Sequence, residues 1–195
     1  SAVMKFQKAS GLPETGVADG ETQSLLYSEN AVTGPDFTFS TIDRDGKTWS
    51  ESDLSDYKLI MINFWEPWCG PCVREMPGLE KLYETYKKDG FLILGVYSTS
   101  GMESEVKSIL NDAGTTYPVL KYTNSFKIFE SGYVPTTVFV DGQGHVLYPE
   151  LTTEEYKNAS DDIAKLGAEA YSKYEALYVG SNLYEGWKAI VEKLL

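Results

Sequence analysis

Cys69-Gly70-Pro71-Cys72 carries the chemistry most plainly written in this chain. These are its only two cysteines. They follow the apolar run Leu59-Ile60-Met61-Ile62-Asn63-Phe64-Trp65, so the pattern reads as strand, short turn, C-x-x-C and helix. Such an arrangement makes a reversible disulfide. The strand delivers Cys69 to the N-terminus of the helix, where the partial positive charge favours thiolate over thiol. Cys72, one turn further in, is placed to attack a mixed disulfide formed by Cys69.

Two other uses of a C-x-x-C fit less well. A structural zinc site takes four ligands, and beyond the cysteines only His145 remains as a soft donor, far along the chain. No metal site is therefore expected. A purely structural cross-link over so short a loop removes little chain entropy and would stabilise the fold weakly.

The segment Phe64-Trp65-Glu66-Pro67-Trp68-Cys69-Gly70-Pro71-Cys72-Val73-Arg74-Glu75-Met76-Pro77 resembles the active-site segment of the thioredoxin superfamily. Its Arg74-Glu75-Met76-Pro77 continuation is similar to the TlpA/ResA-type extracytoplasmic branch. A second stretch, Gly132-Tyr133-Val134-Pro135-Thr136-Thr137-Val138-Phe139-Val140-Asp141, resembles the cis-proline loop of that superfamily and the strand after it. The likeness spans about Phe37 to Leu195. It implies an α/β fold of thioredoxin type: a central mixed sheet flanked by helices, with an N-terminal β-hairpin and a helical insertion near the C-terminus.

The resemblance also implies roles. Cys69 and Cys72 form the catalytic pair. Trp68 lies beside the disulfide as an apolar platform for substrate, and Gly70 and Pro71 set the turn and the helix start. Pro135 follows a cis bond against the disulfide, and the backbone of Val134 pairs with an extended substrate. Gly-Pro between the cysteines is the pair of thioredoxin, whose potential is about −270 mV, which implies a reductant. In place of the buried aspartate of cytoplasmic thioredoxin stands Asn63, which is no base. Glu66, three residues before Cys69, and Glu103 or Glu105 in the insert after the second core strand are the candidates for a proton relay.

The expected activity is a thiol-disulfide oxidoreductase that reduces protein disulfides outside the cytoplasm. The chain carries no dinucleotide or flavin fingerprint, so no cofactor is expected and a membrane electron donor would recharge it. The alternatives are a peroxiredoxin-like peroxidase or a wall-associated binding module with a secondary redox role. The first needs a threonine in a P-x-x-x-T-x-x-C setting, and the stretch before Cys69 has Pro67 but no threonine.

Around this core the organisation is legible. Residues 1–27 read as an arm of two short helices. Val3, Phe6 and Gln7, then Gly11, Leu12, Thr15, Gly16 and Asp19, then Thr22 and Leu25 resemble the last two helices of a peptidoglycan-binding module (PG_binding_1). Peptidoglycan is thus a candidate partner for the arm. Residues 28–36 read as a linker with a Gly34-Pro35 turn. Residues 37–195 form the thioredoxin-like domain, with the insertion at about 150–176. Within it, Phe37 to Trp49 reads as a hairpin, Lys58 to Trp65 as the central strand, and the helix from Cys69 to about Lys88 contains Pro77. Glu103 to Ala113 reads as helix. Thr136 to Tyr148 reads as a second hairpin, Thr152 to about Tyr174 as one helix, and Leu177 to Leu194 as a final strand and helix. The net charge of −12 over 195 residues argues against nucleic acid and against charge-driven binding to anionic lipid. An anchor or signal upstream of Ser1 would account for an extracytoplasmic location.

Overall fold

The computed structural model describes residues 2–17, 22 and 35–195. The chain divides into two compact units, Ser1–Asp36 and Phe37–Leu195. In the first, helix α1 spans Ala2–Ala9. The buried Gln7 amide organises this unit. Its nitrogen donates to Thr15 Oγ1 at 2.9 Å, to the Val17 carbonyl at 2.9 Å and to Thr22 Oγ1 at 3.0 Å, while its oxygen accepts from the Gly16 N–H at 2.9 Å. The polar residues shared with the peptidoglycan-binding pattern thus converge on one side chain. The second helix expected in the arm, with its Asp19 cap, and most of the 28–36 linker lie outside the described residues.

The second unit is built on a five-stranded mixed sheet of order β5-β4-β3-β6-β7. Strand β3 (Leu59–Phe64) runs at its centre, parallel to β4 (Phe91–Tyr97) and antiparallel to β6 (Thr136–Asp141). Their unbroken apolar character is what two covered faces demand. Alternate side chains divide between two cores. Ile60, Ile62, Leu92, Leu94, Val138 and Val140 face one, which Trp49, Leu54 and Phe126 complete. Leu59, Met61, Ile93 and Phe139 face the other, closed by α2 (Gly70–Tyr86) and α6 (Tyr184–Leu194).

A hairpin of β1 (Ser40–Ile42) and β2 (Thr48–Ser50) covers the edge strand β5 (Val119–Lys121). Thr41 Oγ1 donates to the Lys121 carbonyl at 2.7 Å, and the Arg44 N–H to the Val119 carbonyl at 2.9 Å. The buried Asp43 carboxylate closes the turn by accepting from the N–H groups of Asp45 and Lys47 and from Trp49 Nε1, each at 2.9 Å. Helix α3 is Glu103–Asp112, and α2 continues through Pro77.

Two expectations are corrected. Residues 145–148 fold back on β6 but form no full strand: the pairing is the Val140–Val146 bridge, with the Asp141 N–H donating to the His145 carbonyl at 3.0 Å and the Leu147 N–H to the Phe139 carbonyl at 2.9 Å. The other half of that edge of β6 belongs to β7 (Leu177–Val179), which pairs with Thr136 to Val138. The helix expected from Thr152 to Tyr174 is two, α4 (Thr153–Leu166) and α5 (Glu169–Lys173). Gly167 separates them at φ 55°, a left-handed conformation open to glycine.

Candidate active site

Chain direction and one helix start create the site. β3 ends at Phe64, and the Trp65 N–H still pairs with the Val96 carbonyl at 2.9 Å before the chain leaves the sheet. Cys69 is the N-cap residue of α2 and Pro71 lies in its first turn, where a missing N–H costs no hydrogen bond. Cys69 and Cys72 are joined in a disulfide with a Cα–Cα separation of 5.3 Å. The Cys72 N–H points at Cys69 Sγ from 3.3 Å, so a free backbone donor of the helix start is aimed at that sulfur. Both sulfurs are shielded, Cys69 at 5% exposure and Cys72 at 1%.

The Val134–Pro135 peptide is cis. The Val134 carbonyl oxygen lies 3.6 Å from Cys69 Sγ, across 65 residues of sequence. Register explains the approach: Phe64 pairs with Thr136 across the antiparallel β3–β6 ladder, so both loops leave the same end of the sheet. Trp68 is 65% exposed and its indole N–H donates to Thr99 Oγ1 at 3.2 Å.

One turn along α2 from Cys72 is a carboxylate that the motif reading did not single out as a relay. Glu75 is buried, and it stands three residues after Cys72, on the same face of α2. Its Oε1 accepts from Asn63 Nδ2 at 3.1 Å and its Oε2 from the Asn182 N–H at 3.1 Å. Asn63 Nδ2 also donates to Thr137 Oγ1 at 3.0 Å. Burial pushes the Glu75 carboxyl above its usual range, against the opposing pull of the Asn182 and Asn63 donors. The sequence signal available was the i, i+3 spacing from Cys72, together with an asparagine in place of the buried aspartate.

Of the three expected relay candidates, Glu66, Glu103 and Glu105, the first two have partners of their own. Glu66 is buried and fully engaged: Oε1 accepts from the Ser98 N–H at 2.8 Å and from the Ser98 hydroxyl, and Oε2 from the Thr99 N–H at 3.1 Å and the Thr99 hydroxyl. These bonds tie the loop before Cys69 to the end of β4. Glu103 and Glu105 sit in the exposed first turn of α3. Glu103 binds Lys121 Nζ at 3.3 Å, and hydrogen bonds from its own backbone and Gly101, then Lys121, hold its carboxyl below the usual range.

A cavity of about 470 Å³ opens beside Trp68 and Val134. Aromatic rings form much of its wall, among them Phe64, Trp65, Tyr122, Phe126 and Tyr133, with Glu66 and Glu130 as its carboxylates. Among the described residues no group of three or more potential ligands could hold a metal ion, and no helix is long and apolar enough to cross a membrane.

The AhpC/TSA family matches residues 32–148, and a peptidoglycan-binding domain family matches residues 1–26. The thiol-disulfide oxidoreductase ResA of Oceanobacillus iheyensis is 34% identical over 137 residues, which cover 67% of this chain and 70% of that protein. ResA of Geobacillus thermodenitrificans is 33% identical over 138 residues, covering 67% of this chain and 76% of that one. The crystal structure of a thioredoxin-family thiol:disulfide interchange protein from Chlorobium tepidum superposes with a TM-score of 0.61. It is 23% identical and covers 83% of this chain and 95% of its own, a likeness of fold. With the redox pair at a helix N-terminus and ResA relatives across the domain, the chain belongs to the AhpC/TSA family of thioredoxin-like proteins and is a thiol-disulfide oxidoreductase.

Proposed function

We propose that this protein reduces protein disulfides outside the cytoplasm, with Cys69 attacking and Cys72 resolving. The observation that carries the reading is the placement of Cys69 Sγ at the N-cap of α2, facing the Val134 carbonyl and the Cys72 N–H. In the reduced protein that N–H and the helix start favour a Cys69 thiolate. The thiolate attacks one sulfur of a substrate disulfide; a Cys69–substrate bond forms and the other substrate sulfur leaves as thiolate. Cys72 then gives up its proton and attacks Cys69 Sγ. The substrate's second sulfur leaves, and two electrons have passed to the substrate. Glu75, on the Cys72 face of the helix and raised by burial, is the base for that proton. The backbone at Val134 and the exposed Trp68 ring bind the substrate chain in extended form.

Return of the Cys69–Cys72 disulfide to the dithiol calls for a membrane electron donor. An extracytoplasmic setting, with residues 1–27 as an arm descended from a wall-binding module and 37–195 as the redox domain, is supported by the peptidoglycan-binding match at residues 1–26. The test is trapping. Cys72→Ser accumulates mixed disulfides with protein substrates and Cys69→Ser does not. Faster alkylation of Cys72 than of Cys69 in the reduced protein overturns the assignment. Turnover of hydrogen peroxide faster than of protein disulfides overturns the reductase reading itself.

A further inference from the structure

The cavity beside the disulfide has a combination of walls that the redox chemistry does not need. Its rings include Trp68 and Tyr133, which are 65% and 74% exposed, together with Tyr122 and Phe126. Exposed rings at a cavity mouth have no packing role. Its two carboxylates, Glu66 and Glu130, are joined by no basic side chain in the lining. None of the ion pairs among the described residues involves either one. Glu130 is exposed and accepts from the Tyr122 hydroxyl, which fixes a negative charge against an aromatic face. Burial and that bond push the Tyr122 phenol up to about 12, so Tyr122 stays neutral.

Aromatic faces present their negative quadrupole to a guest, and a cation above them gains most when a carboxylate stands nearby. An acidic side chain would meet two like charges. A purely apolar one would fill the ring surface but leave Glu130, which has the neutral Tyr122 hydroxyl as a partner, without a cation beside it. We infer that this cavity is a specificity subsite for a lysine or arginine side chain of the substrate, close in sequence to the cysteine that Cys69 attacks. The inference rests on the reductase reading and names its substrate class: basic disulfide segments. The chain's net charge of −12 acts in the same direction by drawing basic partners to it.

The test uses a set of short peptides, each with one cysteine held as a mixed disulfide with glutathione. They differ only in a residue two positions from that cysteine: lysine, arginine, norleucine, phenylalanine or glutamate. The rate constant for their reduction by the dithiol form of the protein, residues 1–195, is read from released glutathione. Lysine and arginine peptides react about tenfold faster than norleucine, a preference on the scale of one cation over an aromatic face. The glutamate peptide is slowest. In Glu130→Gln the lysine-to-norleucine ratio falls toward one, and because the ratio is internal to each variant a general loss of activity does not imitate it. Norleucine or phenylalanine peptides that match or exceed lysine overturn the subsite while leaving the reductase standing. A lysine preference that persists unchanged in Glu130→Gln overturns it too. Failure to reduce any of the peptides overturns the parent reading, and the subsite with it.

Discussion

Replacing Glu75 by glutamine tests the coupling between the buried carboxylate and the resolving thiol. Residues three apart on a helix hold their Cβ atoms about 5–6 Å apart. Two like charges about 6 Å apart at an effective dielectric of about 20 repel by about 3 kcal/mol. That repulsion raises a thiol by about 2 pKa units. Glu75 is the carboxylate that stands in this relation to Cys72, and its oxygens accept from Asn63 and Asn182 rather than facing a cation. In a Cys69→Ser background, which leaves Cys72 as the one thiol, its ionisation can be followed by the ultraviolet absorbance of the thiolate against pH. Glu75→Gln should lower the Cys72 midpoint by up to about 2 units and flatten the rise of mixed-disulfide resolution with pH. Urea unfolding of the same variant checks that the fold is retained. A Cys72 midpoint that stays put or rises, in a folded variant, refutes the coupling and removes Glu75 as the base.

Three further outcomes follow from the same geometry. Because burial raises the Glu75 carboxyl, its contribution to stability is fully present below the unfolded value, near 4.3, and is lost as pH rises through the folded value. The stability of the oxidised wild type relative to Glu75→Gln should therefore fall with rising pH over that window, and a difference independent of pH refutes it. Asn63→Asp would set a second carboxylate where Nδ2 now lies 3.1 Å from Glu75 Oε1, so the pair shares one proton. Calorimetry should find the variant destabilised at pH 8 and much closer to wild type at pH 4. A Cβ at Gly142 would run into the Tyr57 carbonyl oxygen and come within 3.2 Å of the Leu54 carbonyl oxygen. Gly142→Ala should cost about 1–3 kcal/mol in urea unfolding, and an unchanged midpoint would refute the close approach.

Much of the redox centre was legible along the chain because its parts are local. Cys69 to Cys72 with Pro71 between them specify a helix start whatever packs on it, and the apolar run before them specifies a buried strand. Peptide geometry acts over a few residues there, so motif and structure coincide. The order of elements and the final strand and helix were readable for the same reason. Errors arose where neighbours compete. Residues 145–148 have the composition of a strand, but β7 returns from over thirty residues away and takes half of the same edge of β6. Gly167 stood within a helical pattern, and its left-handed backbone ends α4.

The carboxylates near the redox pair divide most clearly between the two levels. The sequence by itself placed two thiols, a proline loop and several acidic residues near the motif, and proximity along the chain favoured Glu66. Only the tertiary structure separates the carboxylates. Glu66 turns to the end of β4 and is held by Ser98 and Thr99, whereas Glu75 turns inward to Asn63 and to the loop before α6. The reason is desolvation: the cost of burying a carboxylate depends on which donors meet it, and those donors come from β3, β4 and the loop before α6. The cavity wall is likewise assembled from residues between Phe64 and Thr136. No periodicity records that neighbourhood, because it exists only once the sheet brings the two loops to one end.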